Sequence, residues 1–125
     1  MIKTVLWIGA GSFAGGVARY FVAKAVQASS DSQFPIGTFI VNIVGCLLIG
    51  FLYGILDKNQ MMDSNLQLFL IVGFCGGFTT FSTFINENVT MLNQSNFLHL
   101  AVYPIVSFAI GLIAVYIGQA ATKLF

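Results

Sequence analysis

An all-α membrane protein with four spans is the fold class the sequence predicts, and three observations predict it. Of 125 residues, 58% are hydrophobic and 7% charged, against roughly 25% charged in ordinary soluble domains. The apolar residues gather into four runs, about 2–22, 37–56, 66–91 and 97–121, each at or near the ~20 residues a helix needs to cross a bilayer. The connectors, 27–34, 57–65 and 92–96, are short and polar, so residues 1–125 read as a single membrane domain with no soluble insert. The net charge of +1 leaves little with which to neutralise phosphates, which excludes nucleic acid as a partner.

The first run begins with Lys3 and continues through apolar and small residues, in the manner of a secretory signal. Removing it would leave three long apolar runs and no polar mature domain, so it is expected to stay as a span. Gly9-Ala10-Gly11-Ser12-Phe13-Ala14 has the spacing of a dinucleotide fingerprint, with Asp31 near the acidic position. What precedes Asp31 is Ala-Val-Gln-Ala-Ser-Ser rather than a buried strand, and no βαβ units follow. The match is therefore read as coincidence. Arg19 and Tyr20 close the run, either as an interfacial anchor or as part of a basic vestibule that concentrates anions.

The second run carries Asn42, within Gly37-Thr38-Phe39-Ile40-Val41-Asn42. A lone asparagine in a membrane can hydrogen-bond a neighbouring helix, for roughly 0.6 kcal/mol. Its two amide protons can instead be offered to an anion. Both roles stay open. Cys46 in this run and Cys75 in the next are expected as small apolar filler, since no metal-ligand spacing surrounds them.

As a continuous helix the third run would be about 39 Å long at ~1.5 Å per residue, enough to cross a ~30 Å core with tilt. Its midpoint falls at Phe78 or Thr79, between Gly76-Gly77 and Thr80. Glycine is costly inside a helix and threonine is stiff at χ1, so this helix is expected to be broken at mid-membrane. Irregular backbone at that depth survives only where protein or a polar cavity surrounds it, which makes the break a candidate site. Phe81 and Phe84 share a helix face just beyond it, interleaved with Ser82 and Thr83. Ring edges are positive and hydroxyls donate. With Asn42 they would form a donor-rich site almost without full charge, suited to a small, hard anion held weakly enough to leave. Glu87 is the only carboxylate in or near a span. A proton-coupled carrier would need it accessible, and that role is kept open. His99, at the start of the fourth run, is expected at the interface.

Four spans place both termini and the 57–65 connector on one side, with Lys3, Lys58 and Lys123, and leave Arg19 and Lys24 for the other. Three against two is hardly a bias. The chain has either one weakly set orientation or dual topology, with copies inserted both ways up. The pairs Gly11/Gly15, Gly50/Gly54 and Gly73/Gly77 have the spacing that lets helix backbones approach. Four short helices enclose little space, so these faces are expected to be the seams of an oligomer.

Three motifs carry a resemblance: Gly-x-x-x-Gly-x-x-x-Arg-Tyr (11–20), Gly-Thr-x-x-x-Asn-x-x-Gly (37–45) and Gly-Phe-x-Gly-Gly-x-Thr-Thr-Phe-Ser-Thr-Phe (73–84). They resemble the bacterial fluoride channels of the CrcB/Fluc family, over the whole chain, and the third is the specific one. The resemblance implies a passive, fluoride-selective channel, not an enzyme, exporting fluoride across the bacterial inner (plasma) membrane and lowering its toxicity. It implies an antiparallel dual-topology dimer in the lipid bilayer with two fluoride pores. Of the homodimer and the heterodimer with a paralogous chain that the family offers, the intact motifs favour the homodimer. A structural sodium ion would sit at the dimer centre on the main-chain carbonyls of Gly76 and Thr79. Carried over by motif, the fluoride pathway would include Asn42, Phe81 and Phe84. Thr38, Ser82, Thr83, Tyr103 and Ser107 would supply further polar contacts, and Arg19 a vestibule. The sequence departs from the family pattern at Gly15-Gly16 and at Ile85-Asn86-Glu87, away from the proposed donors. A small dual-topology drug/proton antiporter is the alternative from the residues alone; it would need a carboxylate deep beside its pocket, and the first two apolar runs hold none.

Overall fold

The structure, a computed structural model, describes residues 1–31, 33–59 and 63–124. Ser32 and the Gln60-Met61-Met62 stretch of the expected connectors lie outside the described residues, as do the side chains of Lys58 and Asn59. Helix α1 runs Ile2–Ala28 and α2 runs Ile36–Asn59. The third span is in two pieces. Its first piece, α3, covers 64–78: an α-helical turn Ser64–Gln67, a π-helical stretch Leu68–Cys75 and a last turn Gly76–Phe78. After a gap of three residues α4 follows, Ser82–Asn93. Helix α5, Phe97–Ala121, completes the bundle and ends in a 3₁₀ turn, Thr122–Leu124. All four spans are long and apolar enough to cross a membrane. The chain is a multi-pass membrane protein.

The ends of the spans follow local chemistry. The helix α2 starts directly after Pro35, whose fixed φ suits a helix entrance. Asn96 opens α5 by accepting from the His99 backbone N–H, an ordinary N-cap role for asparagine. The chain turns into that cap through Ser95, at φ 58°, a left-handed conformation that a short polar residue tolerates.

The helices pack mainly in two pairs, α1 against α3 and α2 against α5. Glycines make both contacts close. A methyl at Gly11 or Gly15 would run into the carbonyls of Phe69 or Phe74, and one at Gly50 or Gly118 into those of Val115 or Leu47. Gly73 and Gly77 face α1 in the same way. The glycine pairs expected as seams between copies are thus seams within one copy. Small-residue spacing reports that a helix is approached closely, not by which helix.

Few large side chains are buried: Val41, Leu52, Ile71, Phe78, Met91 and Tyr103 are the main ones. Phe13 and Tyr116 stand out from the bundle. Lipid is as apolar as a core, so outward-facing phenylalanine costs nothing there.

Candidate functional site: a broken helix beside an aromatic groove

The break is a set of backbone groups redirected to side chains. Thr79 is extended, at φ −89° and ψ 160°, and its N–H and Oγ1 both donate to the Cys75 carbonyl, at 3.1 and 2.9 Å. In a continuing helix the Thr80 N–H would close on the Gly76 carbonyl. It donates instead to Asn42 Oδ1 at 2.8 Å, while Asn42 Nδ2 donates to the Thr80 carbonyl at 2.9 Å. Arg19 Nε donates to the Gly77 carbonyl at 3.0 Å. Helix α4 restarts with Thr80 Oγ1 accepting from the Thr83 N–H, the N-cap geometry of threonine. Among the described residues, no donor reaches the carbonyls of Gly76 or Thr79. The carbonyl of Phe78, between them, likewise has no donor among the described residues, so the break leaves three main-chain oxygens without a hydrogen bond there. Gly45 permits this arrangement, since any side chain there would collide with the Thr79 methyl.

Three cavities run from the break toward the ends of α1 and α4. The largest, about 800 Å³, is an open groove whose lining includes Asn42, Gly76, Thr79, Phe81, Phe84 and Ser107. Phe81 is 74% exposed and its ring lies 6.2 Å from that of Phe84. Ser107 Oγ is buried and has no hydrogen-bond partner among the described residues. Asn42 has one amide proton beyond the one given to Thr80. A second cavity, of about 250 Å³, is basic: Arg19 and Lys24 line it with Gln27, Thr38, Thr80 and Thr83. A third, of about 380 Å³, lies between the ends of α1 and α4 and is lined by Gln27, Gln33, Thr90 and Gln94 among others. Thr80 belongs to both the groove and the basic cavity. Glu87 belongs to both the basic cavity and the glutamine-lined one.

Glu87 is held from two sides. Thr38 Oγ1 donates to its Oε2 at 2.8 Å and Tyr103 Oη to its Oε1 at 2.9 Å. Tyr103 is wholly buried, with its ring edge-on to Phe84 at 4.8 Å and to Phe34 at 5.2 Å. One carboxylate thus ties α2, α4 and α5 together beside the aromatic pair.

Most of the expected site residues are brought together. Asn42, Phe81, Phe84, Ser107, Gly76 and Thr79 share the groove; Tyr103 adjoins it through its ring contact with Phe84, and Thr38 lines the basic cavity instead. Thr83 faces the basic cavity, while Ser82 is exposed and lines none of the three. Arg19 needs a correction. It was expected at the end of the first span, but α1 continues to Ala28 and places Arg19 within the bundle, against the break. His99, in the first turn of α5, is half-buried, with its ring edge-on to Phe34 at 5.6 Å. Glu87 was not among the expected contacts. Its signal was present, since it lies three residues after Phe84, one turn along the same helix.

Fold and site first define a class: a multi-pass membrane protein centred on a broken helix, with an aromatic groove and unclaimed polar groups beside it. The chain belongs to a known family. The model of that family, described as CrcB-like protein, Camphor Resistance (CrcB), matches residues 6–119. Three relatives, each named a fluoride-specific ion channel FluC, are similar over nearly the whole chain. That of Azobacteroides pseudotrichonymphae is 38% identical over 125 residues, covering 100% of both chains. That of Flavobacterium psychrophilum is 39% identical over 122 residues, 98% of each. That of Chlorobaculum tepidum is 42% identical over 124 residues, 99% of this chain and 98% of the relative.

Proposed function

We propose that the chain is a fluoride-selective passive channel, rather than an enzyme, which lets fluoride leave the bacterial cytoplasm across the inner membrane and so lowers its toxicity. The names of the relatives support fluoride as the ion. The observation that carries the mechanism is the groove that gathers Phe81, Phe84, Ser107 and the spare Asn42 amide proton, with the buried Ser107 hydroxyl beneath it unpartnered among the described residues. Burying an unpaired polar group is costly, so a partner is called for, and a small anion fits. Fluoride must exchange its water shell for donors that hold it weakly enough to let go. Neutral hydroxyl and amide protons, with phenyl edges beside them, are donors of that strength. Arg19 and Lys24 would raise the local anion concentration at the basic cavity.

The open groove is half of a passage, and a second, inverted copy would close it. The assembly is accordingly an antiparallel homodimer from copies inserted both ways up. A sodium ion at its centre fits the donor set: Gly76 and Thr79 present carbonyls that no donor among the described residues occupies, and hard cations prefer such oxygens. The ion would supply fixed positive charge that holds two breaks together.

Proteoliposomes containing this chain alone test the reading. Fluoride should leave without a proton gradient, and chloride should stay. Vesicles as tight as empty lipid would refute a self-sufficient channel, with a second chain restoring efflux if the working form is a heterodimer. Strict dependence on a proton gradient would favour the antiporter.

A further inference from the structure

We infer that Gln27 is a positioning residue of the passage, setting the Glu87 carboxylate from a helix that does not touch it. The inference rests on the channel reading above. Gln27 lies in the last turn of α1 and both ends of its amide are engaged. Nε2 donates to the Phe34 carbonyl at 3.3 Å, and Oε1 accepts from the Gly37 N–H at 3.0 Å. That N–H is in the first turn of α2, where backbone donors have no partner within their own helix. Such groups need one at a membrane-embedded site. Glutamine is not a usual local cap; here it reaches across from another helix.

Each bond ends next to one of the two groups that hold Glu87. Beyond Gly37 lies Thr38, buried, whose hydroxyl donates to Glu87 Oε2. The ring of Phe34 packs on Tyr103, whose hydroxyl donates to Glu87 Oε1. A shift of the 34–37 segment therefore moves both donors together. Gln27 also lines the basic cavity and the glutamine-lined cavity, the two that meet at Glu87. A residue that only capped α2 would influence stability alone. One placed here sets where the carboxylate stands between two cavities.

A double-mutant cycle in proteoliposomes tests this, using Gln27→Leu, Thr38→Val and the pair, with dimer content and melting temperature recorded for each. Gln27→Leu should slow fluoride efflux about tenfold, and adding it to Thr38→Val should slow it little further, since residues acting through one network are not additive. Should Gln27→Leu fail to assemble, Gln27→Glu takes its place in the cycle, because it keeps an oxygen for the Gly37 N–H. Unchanged efflux in the single variant, or a full tenfold loss on top of Thr38→Val, overturns the inference while the channel reading stands. A wild-type chain that passes no fluoride overturns both.

Discussion

Replacing Asn42 with leucine removes both hydrogen bonds between α2 and the break. The Thr80 N–H loses its acceptor at 2.8 Å and the Thr80 carbonyl its donor at 2.9 Å. Polar contacts between membrane helices average about 0.6 kcal/mol and reach about 1.7 kcal/mol, so two of them amount to about 1–3 kcal/mol. That corresponds to a break ordered about 5- to 150-fold less strongly. The carbonyls of Gly76 and Thr79 would then be held less firmly, and a ligand that stabilises only the ordered form would be needed at higher concentration. Melting of the purified protein, followed across a sodium titration, reads both effects. Asn42→Leu should melt lower and require more sodium to recover, and its fluoride efflux should fall. Asn42→Asp separates the two roles of the side chain. It keeps an oxygen for the Thr80 N–H but loses the amide protons and brings negative charge to the groove, so efflux should fall more than stability. Wild-type melting and wild-type efflux in Asn42→Leu would refute the clasp.

Three further outcomes are expected. Phe81→Ile and Phe84→Ile should each cut fluoride efflux strongly with the dimer intact, because ring edges are lost and apolar volume is largely kept; unchanged efflux in both removes the aromatic part of the mechanism. Ser107→Ala should leave melting unchanged or raise it, since the hydroxyl has no partner to lose among the described residues, yet slow efflux several-fold; a lower melting point would show the hydroxyl to be structural. Gly15→Val should destabilise by about 1–3 kcal/mol through overpacking, to the same extent at every protein concentration. A loss seen only on dilution would return that glycine to a seam between copies.

The spans were legible because only long apolar runs can cross a membrane, and the fourth matches α5 over Phe97–Ala121. The break was legible because Gly-Gly-Phe-Thr-Thr sits where a helix needs strong formers. What stayed hidden were the partners. Arg19 was placed at a boundary because hydropathy fades near Val22, whereas the helix continues for six residues to Ala28. The tie between Thr38, Glu87 and Tyr103 joins residues up to 65 positions apart, and no spacing rule reaches that far. Gln27 looked like a connector residue, since nothing in its neighbours reveals that its amide caps a different helix. The π-helical stretch Leu68–Cys75 has no composition that sets it apart from ordinary helix.

The placement of the close glycine contacts has a consequence for biogenesis. Because they join helices of one chain, a newly inserted molecule can complete its packing alone, before meeting another. Its entry direction is settled by then, so folding and orientation precede any encounter in the plane of the bilayer. In the proposed dimer, pairing would then be a late event between finished molecules, its extent set by the protein-to-lipid ratio rather than by the folding machinery.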